Sequence, residues 1–507
     1  MLTVIAGLVA AVLVFFFIHG VWTSSSLARR GLREPPGPRP RFLIGNLLDV
    51  PTKDAHIAYA ELAQKYGPVM QFKLPAQNMV FLSSAKAVSD LLEKRGSVYS
   101  DRPAFPMPEL MGWGWNLTFK RHDESWRIRR RILHHNLHIG ANAKHAGLQT
   151  HTALVFAQQL LESPGQFVEH IRRSAAANIM RMTYGLDIAL KDDPLVKVAE
   201  VAMDSLPLPG TYLVDLVPAL KYVPWWFPGA GFKRDAMRWT EYPKALINMP
   251  FERVKRDMEL GTAQHSVVAD ALSQGASEDW ATIVKEAAAV MYLGGSDTTV
   301  STLMTFSLGM IKHTDVQRKA QEELDRVVGT DRLPTFEDRE SLPYIEAIIR
   351  EAYRMLPVLP LGLPHAAEQD DEYEGMLIRK GTSVFANIWA ILHDPVVYPD
   401  PEVFRPERFL KDGRIDTNIP DPRTHHFGFG RRVCPGKHFA DTTVYITIAT
   451  ILACFNISTA VENGVEVPPS GKVHHGLVST PERFECTIEP RSTRVRSLIV
   501  DALDSEY

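Results

Sequence analysis

The sequence predicts a mainly α-helical protein with small β-sheets, carried on a single N-terminal transmembrane helix. Three observations predict it. Apolar residues recur at three-to-four spacing through most of the chain beyond residue 55, strand-like runs are few and short, and an uncharged apolar run opens the sequence. Of 507 residues, 45% are hydrophobic and 23% charged, the balance of an ordinary globular protein. The net charge of -3 gives no general pull toward nucleic acid. Cys434, Cys454 and Cys486 are the only cysteines, which excludes a disulfide-built extracellular scaffold and suits a reducing compartment.

Leu2 to Ile18 is almost wholly apolar and is continued by Val21 and Trp22, enough to cross a bilayer as a helix, so residues 1–23 are expected to be an anchor. Arg29, Arg30 and Arg33 follow this run instead of preceding it, which argues against a cleaved signal peptide and puts the remainder in the cytoplasm. Residues 24–50 read as a basic, proline-rich hinge, because Pro35, Pro36, Pro38 and Pro40 around Gly37 fix the backbone and remove donors. Residues 51–507 carry no low-complexity stretch or repeat and are expected to form one catalytic domain.

Within that domain, periodicity predicts helices over 55–66, 87–94, 126–137, 143–161, 167–182, 279–312, 316–328 and 344–355, with a further apolar helix from His438 onward. Strands are expected over 69–74, 78–82, 376–378, 383–386 and around 484–488.

The strongest chemical signal is Phe427-Gly428-Phe429-Gly430-Arg431-Arg432-Val433-Cys434-Pro435-Gly436. A lone cysteine is most often a buried structural residue. This one stands in a glycine-rich turn ahead of a helix, where backbone N–H donors and the positive dipole end should lower its pKa and favour thiolate. Upstream, Glu351 and Arg354 lie one helical turn apart and can pair. Trp126 and Arg130 share a helix face at i, i+4. Gly294-Gly295-Ser296-Asp297-Thr298-Thr299 interrupts a helical run with two glycines, each costing about 1 kcal/mol against alanine, so something other than propensity must hold it.

Taken together and in this order, these motifs resemble the cytochrome P-450 family, whose haem loop Phe-x-x-Gly-x-Arg-x-Cys-x-Gly is matched at every fixed position. The resemblance covers nearly the whole chain. It implies the cytochrome P-450 fold, haem b (iron protoporphyrin IX) as cofactor, and Cys434 as the axial iron ligand. It further implies that Phe427 and Gly436 frame the haem, that Trp126, Arg130, His365 and Arg432 hold it and its propionates, and that Arg408 in Phe404-Arg405-Pro406-Glu407-Arg408 completes a buried network with Glu351 and Arg354. A planar guanidinium suits a carboxylate because it can donate two hydrogen bonds. Pro481-Glu482-Arg483-Phe484 repeats the same letters beyond the cysteine and is read as part of a C-terminal hairpin.

In the resembled family the Gly294–Thr299 position is a widened turn where dioxygen binds, with Asp297 and Thr298 as the acid–alcohol pair of proton delivery. The implied activity is a monooxygenase that inserts one atom of dioxygen into an apolar or aromatic small molecule, by hydroxylation or epoxidation. No flavin, nicotinamide or iron–sulfur module is apparent, so electrons are expected from an NADPH-dependent flavoprotein reductase, with cytochrome b as a second donor, docking on basic character at Arg127, Arg129, Arg131, Arg431 and Lys437. Phe105, Met107, Leu110, Met111, Trp113, Trp115, Leu117, Val358, Leu359, Leu361 and Leu363 are expected to line the pocket. Residues 206–209 and 223–227 are expected to dip into the bilayer.

Likeness is strongest to fungal microsomal members of secondary metabolism, the tryptamine-hydroxylating type among them, through Glu109-Leu110-Met111-Gly112-Trp113 and residues 386–410; this implies the endoplasmic reticulum membrane. Terpenoids, polyketides and indoles remain open as substrates. Two other readings stand beside this one: a haem-thiolate isomerase or dehydratase, and a non-catalytic membrane haem carrier or gas sensor.

Overall fold

The computed structural model describes residues 31–207, 210–275 and 277–505. The expected anchor and the first part of the hinge lie outside them. Among the described residues no helix is long and apolar enough to cross a membrane.

The fold is mainly helical with small sheets, as the periodicity predicts. Helices Ala146–Glu162, Phe167–Tyr184, Glu278–Lys312, Thr314–Val327, Pro343–Met355 and Lys437–Cys454 bury their apolar stripes against one another in the largest core. Glu278–Lys312 runs through the middle of the molecule, and most of its second half is buried. Ser277 caps it, its hydroxyl accepting from Trp280 N at 3.2 Å. Glu323 caps a neighbour from another helix, its carboxylate accepting from the N–H groups of Tyr344 and Ile345 at the start of Pro343–Met355.

A four-stranded sheet takes the order Val69–Lys73, Asn78–Leu82, Ser383–Ala386, His365–Ala366. Its first pair is antiparallel with Val69 opposite Leu82, and its central pair is parallel with Met79 opposite Ser383. Phe81 stacks on Tyr59 and Phe385, joining the sheet to helix Ala55–Tyr66. Phe455–Glu462 pairs with Val465–Val467 and Cys486–Pro490. The hairpin Val473–His475/Ser479–Pro481 takes in only the first residue of the repeated Pro481 motif; beyond it Arg483 pairs with Glu169 and Phe484 rests on Phe167.

Three departures have physical causes. The helix expected over 87–94 is a short α-turn, Ala85–Val88, followed by a wider i→i+5 stretch, Ser89–Lys94. Helix Glu241–Glu259 is not among the expected helices; its Pro243 sits in the first turn, where no N–H is needed, and Pro250 is tolerated inside. The described part of the hinge is laid against the four-stranded sheet instead of standing free of it: Gln71 N donates to Pro36 O at 2.7 Å and Lys73 N to Asn46 Oδ1 at 2.9 Å.

Candidate active site

The loop from Phe427 to Gly436 is shaped by backbone that only glycine adopts easily, with φ of 77° at Gly428 and 56° at Gly430. A Cβ at Gly430 would lie 2.2 Å from Leu92 O, so the loop is seated directly on the Ser89–Lys94 stretch. Cys434 N donates to Phe427 O at 2.8 Å and closes the turn. Gly436 caps helix Lys437–Cys454, and its N–H favours the thiolate. The expected lowering of the thiol pKa is overturned. Burial outweighs the Gly436 N–H and the charges of Arg130 and Lys437, and holds the thiol above its ordinary range. A thiolate here therefore needs a stronger positive charge, such as a metal ion, which deprotonates a coordinating thiol outright. Among the described residues no group of three or more His, Cys, Asp or Glu side chains can hold a bare metal ion. A metal at Cys434 must then bring its other ligands with it.

Beside the thiol, positive charge gathers with no ion-pair partner among the described residues, although Asp101, Glu368 and Asp123 lie near enough to act on it. Asp123 starts helix Glu124–Leu137 by accepting from Trp126 N at 2.8 Å, which sets Trp126 and Arg130 toward the loop. The Arg432 guanidinium lies over the Trp126 ring at 4.3 Å and that of Arg130 at 5.9 Å. Arg130 donates to Val433 O, Arg432 to Ser100 O and Lys120 O, and Arg102 to Thr118 O, Leu363 O and Pro364 O. Carbonyls are the only acceptors these three arginines have among the described residues, and burial lowers the pKa of each. His365 places Nδ1 2.6 Å from Tyr99 O; burial, and then Arg102, lower its pKa to about 3, so alone it is neutral. Buried cations are expensive unless paired, so this cluster suits a ligand carrying carboxylates. Haem, with two propionates and four nitrogens for its iron, fits both the cluster and the thiol. Arg102 was not expected from the sequence, where nothing distinguishes it from an exposed arginine; burial alone marks it.

Cys434, Trp126, Arg130, His365, Phe427, Arg432, Gly436 and Arg102 all line one cavity of about 290 Å³. Of the expected pocket residues, Leu117, Val358, Leu359 and Leu363 line it. Phe105, Met107, Leu110, Met111, Trp113, Trp115 and Leu361 do not. Met107, Met111 and Trp113 are buried in a core cluster instead, and Leu361 packs beside the four-stranded sheet.

Helix Glu278–Lys312 continues through both glycines. Close packing explains Gly295, where a Cβ would lie 2.8 Å from Ile179. Thr298 lines the cavity and its hydroxyl donates to Gly294 O at 2.7 Å. Asp297, about 100° round the helix, faces a second, small cavity with Arg172 and Glu200. Its carboxylate accepts from Arg172 at 3.2 Å, its Oδ2 has no partner, and burial raises its pKa to about 6.

Glu351, Arg354 and Arg408 form the expected network. Arg354 donates to both Glu351 oxygens at 2.8 and 2.9 Å, and Arg408 Nε to Oε1 at 3.1 Å. Arg405 adds its backbone N–H to the same oxygen at 2.8 Å. Glu351 and Arg354 have no solvent exposure. One expected basic residue is misplaced: Arg129 points inward and pairs with Glu286 at 2.5 Å, because two residues along a helix is half a turn, whereas Arg127, Arg131 and Arg431 are exposed.

Residues 35–488 match the family described as cytochrome P450. The chain is 40% identical to cytochrome P450 monooxygenase COX2 of Coprinopsis cinerea, covering 99% of this chain and 96% of that one. It is 39% identical to a cytochrome P450 monooxygenase of Armillaria gallica, ARMGADRAFT_974139, covering 96% and 98%. Among solved structures, a zebra fish cytochrome P450 with abiraterone aligns with a TM-score of 0.69 and 26% identity over 86% of this chain and 100% of that one.

Proposed function

The chain belongs to the cytochrome P450 family and is a haem-thiolate monooxygenase, and from that premise we propose that its cofactor is haem b, held by Cys434 on the iron and by Arg102, Arg130, His365 and Arg432 on the propionates. The observation that carries this reading is one cavity holding both the Cys434 thiol and three guanidiniums with no carboxylate partner among the described residues. The bound haem iron would supply the reduction of dioxygen, one atom going to substrate and the other to water.

The protein's own residues then have two tasks. Thr298 Oγ1, its proton given to Gly294 O, turns lone pairs to the cavity and can order a water there. Asp297, raised to about 6, can hold or release a proton near neutral pH about 100° round the same helix. A cavity-facing hydroxyl favours monooxygenation over the isomerase and carrier readings, which have no use for it.

Electrons come from a redox partner, which we assign as an NADPH-dependent flavoprotein reductase with cytochrome b as a second donor, docking at Arg127, Arg131, Arg431 and Lys437. We further assign residues 1–23 to an anchor in the endoplasmic reticulum membrane, residues 24–50 to a segment joining it to the domain, and the domain to the cytoplasmic side. The exposed Tyr222, Trp225, Trp226 and Phe227 support contact with the bilayer surface. The apolar cavity and the fungal relatives support a small apolar substrate of secondary metabolism.

The test is the carbon monoxide complex of the reduced protein. Its Soret band should be strongly red-shifted in the wild type and return to the ordinary haem position in Cys434→His; a variant that keeps the shifted band removes Cys434 from its role.

A further inference from the structure

Resting on the reading that this cavity is the monooxygenase site, its lining divides sharply in two. The charged groups and aromatic rings belong to the Cys434 loop, to helices packed on it, or to the basic cluster: Arg432 lies on Trp126, and Tyr353 packs on His426 and Phe427. Apart from Thr118, Thr298, Thr299 and Thr302, the rest of the wall is aliphatic. Leu117, Ile179, Met203, Leu293, Val358 and Leu477 reach it from six separate segments. Thr298 and Thr302 spend their hydroxyl protons on carbonyls of their own helix, Gly294 O at 2.7 Å and Thr298 O at 3.4 Å. Among the described residues no Asp or Glu lines the cavity.

This wall discriminates by what it lacks. An ammonium would shed its water and find no Asp or Glu among the described lining residues, the cofactor's carboxylates being already paired with the guanidiniums. A carboxylate would find those guanidiniums taken by the cofactor. An aromatic substrate would find no free ring to stack on or meet edge-to-face. A flat ring would also touch fewer of the surrounding methyl groups than a thick saturated one of similar length.

Gly294 adds a measure of size. Glycine within a helix is unfavourable, so it needs a reason. For Gly295 the reason is Ile179. For Gly294 helix packing gives none, because a Cβ there would meet nothing within 4 Å, and the residue is exposed although Leu293 and Ser296 beside it are buried. The open space belongs to the cavity that Gly294 lines.

We propose that the cavity takes an uncharged, saturated, bulky ring skeleton, recognised by shape, and that Gly294 is a specificity-determining residue whose missing side chain makes room for it.

The test is titration of the haem spectrum of the full-length holoprotein with four ten-carbon probes: decalin, naphthalene, decanoate and heptyltrimethylammonium. The last has no lone pair with which to ligate iron. Decalin should perturb the spectrum and bind more tightly than naphthalene, and neither charged probe should respond. In Gly294→Ala, decalin affinity should fall by about tenfold while cyclohexane changes less than about twofold, since an added methyl crowds only a ligand that fills the space. Naphthalene binding as tightly as decalin, a response to either charged probe, or an alanine variant with unchanged decalin affinity overturns the proposal. The carbon monoxide band is recorded on the same samples: its absence would sink the haem-thiolate reading, and its presence means that the titration tests substrate class alone.

Discussion

Asp297 and Thr298 are neighbours in the chain and face different surroundings, because one step along a helix turns a side chain by about 100°. Thr298 meets the cavity; Asp297 meets Arg172 in a separate pocket. Removing each should therefore fail differently. Thr298→Ala should keep substrate binding and reductant consumption, yet product per reductant should fall by about tenfold or more as hydrogen peroxide rises. Equal product per reductant in the variant would return Thr298 to an ordinary helix residue. Asp297 makes a prediction about stability. Burial raises its carboxyl from 3.8 to about 6, so the folded state binds a proton that the unfolded state has released in that window. Its contribution is fully present below about pH 4 and is lost as pH rises through 6, by roughly 2 to 3 kcal/mol. Relative to Asp297→Asn, the wild type should lose that much stability between about pH 4 and pH 7 in denaturant titrations. A difference independent of pH would show that Arg172 keeps the carboxylate charged throughout.

Among the elements, Glu351 ties helix Pro343–Met355 to the segment carrying Arg405 and Arg408, four donors reaching one carboxylate. Glu351→Ala leaves Arg354 charged and enclosed, a cost of about 3–5 kcal/mol. This variant should purify largely without haem and with a lowered thermal midpoint, and Arg408→Ala should do the same to a smaller degree because Arg354 still holds the carboxylate. Normal haem content in both would show the network to be dispensable. The helices and strands that form this frame were mostly legible: Ala55–Tyr66, Asn78–Leu82 and Ser383–Ala386 fall where periodicity puts them. Pro194–Ser205 and Glu241–Glu259 were not: Pro194 stands at the first helical position, where proline is favoured, and Pro250 lies inside a helix that packing maintains.

For the whole molecule, the proline-rich segment joins the domain more closely than its composition suggests. Arg33 pairs with Met376, and Asn46, fully buried, bonds Lys73, Pro38 and Asp49. Deleting residues 1–23 should release the chain from integral membrane association and leave haem content unchanged. Deleting 1–50 should also strip bonds from the four-stranded sheet, lowering stability by about 2 to 4 kcal/mol. Equal thermal midpoints for the two truncations would mean that the docked segment contributes nothing to the domain.

What the sequence determined by itself were features carried by short, ordered spacings: the Cys434 loop with its glycines, the Glu351–Arg354 and Trp126–Arg130 pairs one helical turn apart, and the helical class. Each depends on local geometry, which residue order sets directly. Which side chains face a common space was decided only by the tertiary structure. It turned Asp297 and Arg129 away from their expected surroundings, filled the core with Met107, Met111 and Trp113 where a pocket lining was expected, and brought Arg102 beside Arg432 and His365 from remote parts of the chain. Burial and the partners it assigns belong to the packing of many segments at once, and no window of sequence contains them.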